Sequence, residues 1–346
     1  MYQVLLWAQG DCLKIFYDAR WIGDHGIGRV ARMLDQSLRL PHLQVGGSPS
    51  SPLDALRMFF AITFRTPAKS CVFSPGYNAP LFTFKPYVFM IYDLNHIDRA
   101  ENSSRLKRLY YELIMRRACR NAAAVMTVSE YSKARIVEWA GVPESKIINV
   151  GIGVDGAYAP TVTPHAPGYP YLLCVSNRRP HKNEPRVLEA FAKAQIDPEI
   201  RLILTGTATE ALLAQAEQLG IAQRVIFAGR VPEADLPGYY RGAVALVFPS
   251  LYEGFGLPAI EAMACGVPVL TSNTTSLPEA AGNAALLVDP ESGEQISAGI
   301  ERLCGDQPLR AQMIERGFVQ AAHFTWEMTT TRVSNVLREI DRKVSK

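Results

Sequence analysis

Short runs of β-branched and aromatic residues alternate along this chain with longer stretches whose apolar positions recur every three to four residues. That is the patterning of parallel βαβ construction. Two such arrays are legible. The first takes in KIFYDAR (14–20), a helix beginning near Arg29, VFSP, PYVFMIYDL, a long helix around 104–120, AAAVMTVS and KIINVGIGV. The second starts at YLLCVS (171–176) and continues through a helix at 184–195, RLILTG, VIFAG, ALVFPS, VPVLTS and ALLVDP. Between them lies DGAYAPTVTPHAPGYP, whose prolines stop both helix and ladder formation, so a connector and hinge are expected at about 156–169.

The pattern therefore predicts an α/β chain of two domains, residues 1–160 and 168–325, followed by a helical tail over 326–346 that packs back towards the first domain. In that tail Met328, Val333, Val336, Leu337, Ile340 and Val344 fall on one helical face. The first twelve residues have no evident place in the array and read as an extra strand or a frayed extension.

Composition narrows the classes without naming one. With 346 residues and 48% hydrophobic content the chain can bury a full core, and its length fits two domains better than one. Lys plus Arg total 36 against 33 Asp plus Glu, which excludes a nucleic-acid binder coated in positive charge, so any basic function is local. The six cysteines are scattered, with no Cys-x-x-Cys pair, and fit a reducing cytoplasm. No apolar run approaches the roughly 18–20 residues of a spanning helix, and the start has no basic region ahead of its apolar stretch.

The strongest chemical signal is the run Glu253-Gly-Phe-Gly-Leu-Pro-Ala-Ile-Glu261, between the strand ALVFPS and a helix that Pro258 can start and Gly266 can end. Gly254 and Gly256 let the backbone come close to a ligand, and their amides with the helix N-terminus offer donors to phosphate or sugar oxygens. Glu253 and Glu261 can each accept hydrogen bonds from a pair of vicinal hydroxyls, one on a donor sugar and one on a ribose. The bland alternative is an exposed helix glutamate and an ordinary loop acid. A second loop, Asn177-Arg178-Arg179-Pro180-His181-Lys182-Asn183, puts three cations at a strand's carboxyl end, where they can hold a diphosphate; a solvated basic loop is the competing reading.

The stretch FPSLYEGFGLPAIEAMACGVPVLTSNTTSLPEAAGNAALLVDP resembles the donor-site signature of the retaining family-4 glycosyltransferases, with their Glu, seven residues, Glu motif. SNRRPHKN (176–183), FAGRVPEADLPGYYRGA (227–243), GIGR (26–29) and YDLNHI (92–97) carry the likeness into both halves. It implies a GT-B fold, two Rossmann-like domains facing each other across a deep cleft. It also implies transfer of a hexose from a nucleotide-sugar donor to a saccharide or lipid-linked saccharide, with a lean towards mannose from GDP-mannose in surface polysaccharide or lipopolysaccharide assembly. By the same resemblance Arg178 and Lys182 contact the donor diphosphate, Glu253 the donor sugar and Glu261 the ribose. Asn177, Val231, Gly254, Phe255, Gly256 and Leu257 line the donor site. In the first half Gly26 and Gly28 belong near the donor phosphates and acceptor.

Relatives carry His-Asp where this chain has Tyr92 before Asp93, with His96 three positions after that aspartate. Asp93 stays a catalytic candidate, while His96 either substitutes for the missing histidine or is a structural one. No His and acid cluster has metal-ligand spacing and no Asp-x-Asp occurs, so neither metal nor cofactor is expected and the nucleotide sugar is a substrate. The helix RLKRLYYELIMRRACR (105–120) is basic and amphipathic. It suits peripheral contact with an anionic membrane at its cytoplasmic face, or equally a solvated face whose Tyr, Leu, Ile and Met side chains turn to the core. The alternatives in function are a nucleotide-sugar epimerase of the same fold and a non-catalytic glycosyltransferase-like partner protein.

Overall fold

The computed structural model describes residues 13–23, 26–99, 101 and 103–344; the first twelve residues, and the extra strand or frayed extension read there, lie outside them. The chain divides into two compact units: Met1–Ile152 with Trp326–Lys346, and Gly153–Thr325. The division falls at Ile152 and Gly153, ahead of the proline-rich segment expected to be a hinge. That segment is packed within the second unit, where His165 stacks on Tyr239 with ring centroids 4.1 Å apart and its amide donates to Gly238 O at 2.9 Å.

Among the described residues the first unit holds a sheet of five strands, β1 (Lys14–Tyr17), β2 (Ser70–Ser74), β3 (Tyr87–Met90), β4 (Ala124–Thr127) and β5 (Ile147–Asn149), paired in that order and all parallel. Every residue of β2, β3 and β4 is buried, which requires cover on both faces of the sheet. Val72, Phe89 and Val125 lie in one core with Met58 and Ile62 of the helix Asp54–Arg65, Met115 and Cys119 of the helix over 105–121, and Ile136 and Trp139 of Glu130–Ala140. Burying each such side chain is worth about 1.5–3 kcal/mol before chain entropy is charged against it.

Three local expectations change here. The first helix runs Gly26–Leu38 and not from near Arg29, so GIGR is its opening turn. In the tail helix, Trp326–Val344, the stripe is buried at Val333, Val336, Leu337 and Ile340, but its ends at Met328 and Val344 are exposed. This helix packs on Gly26–Leu38, and Asp341 accepts a hydrogen bond from the Leu13 amide at 2.9 Å. In the helix over 105–121 the middle turn, Tyr111–Met115, is π-wound. Tyr111, Met115, Ala118 and Cys119 face the core, whereas Leu106, Leu109 and Leu113 point to solvent, so the leucines are not the core stripe the sequence suggested. No described helix is long and apolar enough to cross a membrane.

The second unit is a parallel sheet of six strands: β6 (Tyr171–Cys174), β7 (Arg201–Leu204), β8 (Val225–Phe227), β9 (Ala245–Phe248), β10 (Val269–Ser272) and β11 (Ala285–Val288). Their spatial order is β11-β10-β9-β6-β7-β8. The chain first moves outward from β6 through β7 to β8, then returns to β9 on the other side of β6. The carboxyl ends of β6 and β9 therefore flank the point where strand order reverses, the place where open α/β sheets leave a crevice for ligands.

Candidate functional site

The loops that leave β6 and β9 at this reversal are the two the sequence singled out. After β6 the chain runs through Arg178, a short helical turn at Pro180–Lys182 and Asn183, then into the helix Glu184–Lys193. After β9 it runs through Glu253 and Gly254 to the helix Leu257–Ala264. The two loops meet: Lys182 Nζ donates to Glu253 Oε1 at 2.7 Å, and both side chains are mostly covered, 12% and 14% exposed. The ammonium also lies 4.8 Å from the centre of the Phe248 ring, so its stem is packed and its charge is aimed.

The β6 loop is held in shape by its own polar atoms. Asn183 adopts a left-handed backbone (φ 62°) and its side-chain amide donates to Pro249 O at 2.9 Å and Pro290 O at 2.7 Å, fixing this loop to those after β9 and β11. The Leu251 amide donates to His181 O at 2.7 Å. On the other loop, Ser276 Oγ donates to Glu253 O at 2.8 Å and the Glu253 amide donates to Thr275 Oγ1 at 3.3 Å.

Arg178 is placed differently from Lys182. Its backbone is left-handed (φ 63°) and its side chain lies across the ends of β7 and β8, with the guanidinium carbon 5.3 Å from the Phe227 ring centre. Nε donates to Thr207 O at 2.7 Å, Nη2 to Gly206 O at 2.6 Å, and Nη1 pairs with buried Glu184. Burial pulls the pKa of the guanidinium below its ordinary value. Gly206 fits because a Cβ there would stand 3.2 Å from Ser176 O and 3.3 Å from the Arg178 guanidinium carbon. Arg178 thus reaches the site from the β7 side with its nitrogens already shared among three acceptors. Neighbouring Arg179 and Asn177 are exposed.

Glu261 sits one turn inside its helix and is 3% exposed, which rules out the reading of it as a solvated helix residue. Tyr240, fully buried on the helix Leu236–Gly242, donates its hydroxyl to Glu261 Oε2 at 2.8 Å. A carboxylate at this depth needs such donors to keep its charge. Gly256 caps the helix at φ 111°, with room for no Cβ: one would stand 2.8 Å from Leu277 Cδ2. Phe255 is buried with its ring 5.1 Å from Phe324, so its side chain builds the unit's core, and what it offers the loop is its backbone. Gly254 is buried, while Leu257 and Val231 are half-buried.

In the first unit the candidates lie on separate strand ends. Gly26 opens its helix with open space around it, whereas Gly28 packs on the Gly23 backbone, where a Cβ would come within 2.4 Å of Gly23 O. Asp93, after β3, accepts from the Asn95 amide at 3.0 Å, and its own amide donates to Tyr77 Oη at 2.9 Å. Tyr92 turns into the core and donates to Pro75 O at 2.8 Å, so it does not reach towards Asp93's side of the strand end. His96 Nε2 receives Lys107 Nζ at 2.7 Å, which ties it to the helix over 105–121.

Several residues of these sites were not singled out from the sequence. Tyr240 lay inside a quoted segment but gave no sign of its partner. Glu184 and Thr275 were equally silent. A buried network at the ends of β1 and β2 was missed altogether: Arg20 bridges Asp18 at 2.8 Å and Asp54 at 2.6 Å, and Asn78 donates to both carboxylates at 2.9 and 3.0 Å. Among the described residues, no three His, Cys, Asp or Glu side chains are grouped so as to hold a metal ion.

Known proteins resemble this chain in sequence over part of its length and in fold over most of it. The model of the glycosyl transferases group 1 matches residues 160–320. O-antigen chain mannosyltransferase B of Escherichia coli is 35% identical over 243 residues, covering 66% of this chain and 64% of that protein. Serotype-specific mannosyltransferase WbdA of Escherichia coli is 27% identical over 244 residues, 64% of this chain but only 30% of its own length. The chain thus spans less than two thirds of each of these relatives. Among solved structures, Alr3699/HepE of Anabaena in complex with UDP-glucose superposes with a TM-score of 0.72 at 19% identity, over 94% of this chain and 99% of that one. WaaG, a glycosyltransferase involved in lipopolysaccharide biosynthesis, gives 0.69 at 16% identity over 93% and 98%. These likenesses show the fold, GT-B, with its two Rossmann-like units.

Proposed function

We propose, from the premise that residues 160–320 form a group 1 glycosyl transferase domain, that the whole chain is a metal-independent, retaining glycosyltransferase acting on a nucleotide-sugar donor. The observation that carries this reading is the 2.7 Å contact of Lys182 with Glu253 at the reversal of strand order. It brings one cation and one carboxylate, 71 residues apart, to the crevice where a charged, hydroxyl-rich ligand would lie.

In the proposed reaction Lys182 and Arg178 stabilise the charge that grows on the leaving nucleoside diphosphate, helped by the amides of Gly254 and Gly256. Glu253 holds hydroxyls of the donor sugar and Glu261, fixed by Tyr240, those of the ribose. Val231, Phe255 and Leu257 line the donor through backbone and covered or partly covered side chains and Asn177 through an exposed one; Gly26, Gly28 and Asp93 are the candidates of the first unit. The acceptor hydroxyl attacks from the face the diphosphate leaves; its proton passes to the leaving phosphate oxygen, and the anomeric configuration is kept.

The names of the two Escherichia coli relatives favour mannose as the sugar transferred, with an O-antigen or other surface saccharide, free or lipid-linked, as acceptor; GDP as its carrier rests on the family resemblance alone. Contact of residues 105–120 with an anionic membrane would bring a lipid-linked acceptor to the enzyme.

The test is a thermal-shift panel of GDP, UDP, ADP and their sugar conjugates on the wild type and on Glu261→Ala. A nucleotide at roughly 100 times its Kd adds about 2.7 kcal/mol of apparent stability, and the variant should lose most of it. No stabilisation by any nucleotide at millimolar concentration would overturn the transferase reading. An inverted linkage in the product, read by NMR of the anomeric proton, would overturn the retaining mechanism.

A further inference from the structure

Backbone strain is concentrated at the reversal of strand order in the second unit. Among the described residues four non-glycines have positive φ, and three of them, Arg178, Asn183 and Thr275, stand in the loops after β6 and β10. Of the four only Thr275, at φ 58°, is branched at Cβ. In this left-handed region a branched side chain crowds the following carbonyl, whereas glycine carries no such penalty. A threonine is therefore held here against its own preference, and strain of that kind persists only where the surroundings fix it.

The hydroxyl of Thr275 shows what the strain holds. Oγ1 donates to Thr274 O at 2.7 Å and accepts from the Glu253 amide at 3.3 Å, so its one proton is used and a lone pair is turned on the glutamate loop. Ser276 Oγ takes the other side of the same residue, donating to Glu253 O at 2.8 Å. Two more hydroxyls continue the series back along β10: Ser272 Oγ donates to Ser250 O at 2.6 Å and Thr271 Oγ1 to Phe248 O at 2.9 Å. Hydroxyls at 271, 272, 275 and 276 thus grip the chain from the end of β9 to the carboxylate that Lys182 meets. Leu277, the next residue, leaves no room for a Cβ on Gly256 further along the same loop. Thr271, Ser272 and Ser276 are buried, where an unpaired hydroxyl is costly, so this grip is not readily exchanged for water.

We infer that Thr275 is a positioning residue for Glu253. Glu253 is held at three points, its carbonyl by Ser276, its carboxylate by Lys182 and its amide by Thr275, and the third comes from the strained residue. A glycine at 275 would take the same backbone freely but would release the amide and let the carboxylate turn. The consequence is selectivity between two ligands of one site. A sugar nucleotide needs the aim of Glu253 for its sugar hydroxyls, whereas the bare nucleoside diphosphate, which meets Lys182, Arg178 and Glu261, does not. The inference rests on the reading of Glu253 as the group that holds the donor sugar and adds to it the residue that aims it.

The test separates hydroxyl from strain with three variants of the full chain. Thr275→Ser keeps the hydroxyl with less crowding, Thr275→Val keeps the crowding without the hydroxyl, and Thr275→Gly has neither. Calorimetric titration compares GDP-mannose with GDP, and UDP-glucose with UDP. Thr275→Ser should retain wild-type affinities, while Thr275→Val and Thr275→Gly should lose about tenfold for the sugar nucleotide and nothing for the nucleoside diphosphate. Thr275→Gly should do so while melting at or above the wild-type temperature, so binding follows the hydroxyl and not the stability. Amide hydrogen exchange needs no ligand: protection at Glu253 should fall in the valine and glycine variants and persist in the serine one. Unchanged exchange at Glu253 in Thr275→Gly, or an equal loss of both ligands, overturns the inference. A wild type that binds none of the four nucleotides while the exchange result holds would instead sink the transferase reading, taking the selectivity with it and leaving the clamp on Glu253 established.

Discussion

Replacing Lys182 by Met keeps the stem over the Phe248 ring and removes the charge that faces Glu253. Losing one partner of a fully buried ion pair costs about 3–5 kcal/mol. Here the side chains are 12% and 14% exposed, so water recovers part of the stranded charge and about 1.5–3 kcal/mol is the better figure. In a unit spanning Gly153–Thr325 that corresponds to a fall in Tm of about 3–12 °C. Glu253→Gln should cost less, since an amide can stay hydrogen-bonded to the ammonium. The double variant should then be more stable than the sum of the singles predicts, with a coupling of about 1–2 kcal/mol. Calorimetry gives the stabilities. Transfer assays on the same proteins should show each single variant losing about 10²–10³ in kcat/KM, with no recovery in the double, because the diphosphate still lacks its cation. If the singles add within about 0.5 kcal/mol, the contact carries no energy. If Lys182→Met keeps near wild-type kcat/KM, its role at the leaving group is refuted.

Three further outcomes follow from the same geometry. Gly256→Ala, at φ 111° with its Cβ 2.8 Å from Leu277, should lower stability by about 1–3 kcal/mol, whereas Gly293→Ala, in open space, should change it by under about 0.5, both read from urea midpoints. Tyr240→Phe strips the buried Glu261 carboxylate of a donor, which should cost about 1.5–3 kcal/mol and weaken nucleotide binding several-fold by calorimetric titration. Burial pushes the Cys71, Cys119, Cys174 and Cys265 thiols up to about 12. In the unfolded chain they ionise near about 8.5, so the native state holds more protons above that value. The stability they lend is complete below pH of about 8.5 and is lost as pH rises towards 12, so Tm should fall between pH 8 and pH 10 and a scan that stays flat would contradict this.

Much of this was legible because the chemistry is local in sequence. Each of the eleven described strands sits inside an apolar run bounded by polar or glycine-rich turns, and the central ones, buried on both faces, have little choice of residue. The cation loop and the glutamate loop each follow such a run directly. What sequence order could not supply was the pairing of β6 with β9, and with it the meeting of Lys182 and Glu253. Nor could it show that Arg178 turns to Glu184, or that Tyr240 holds Glu261, because helix residues give no sign of which neighbour across the core completes their hydrogen bonds. The leucines of 105–121 misled for a related reason. Apolar periodicity reports that a helix has a stripe, and only the packed structure tells whether the core or the outside receives it.

The tail helix Trp326–Val344 belongs to the first unit, so the second unit is an insertion within it, its own ends joined by the Val154–Thr325 bridge and by the Val154 amide bonded to Phe324 O at 3.0 Å. During synthesis this imposes an order. The second unit is complete as soon as Thr325 leaves the ribosome, but the first must wait, its last packing helix missing, through roughly 10–35 s of elongation at about 5–20 residues per second. The apolar surface awaiting Val333, Val336, Leu337 and Ile340 stays open throughout. Premature termination near residue 325 would thus release a sound second unit fused to an unfinished first one, a product that chaperones and proteases would meet at its first unit.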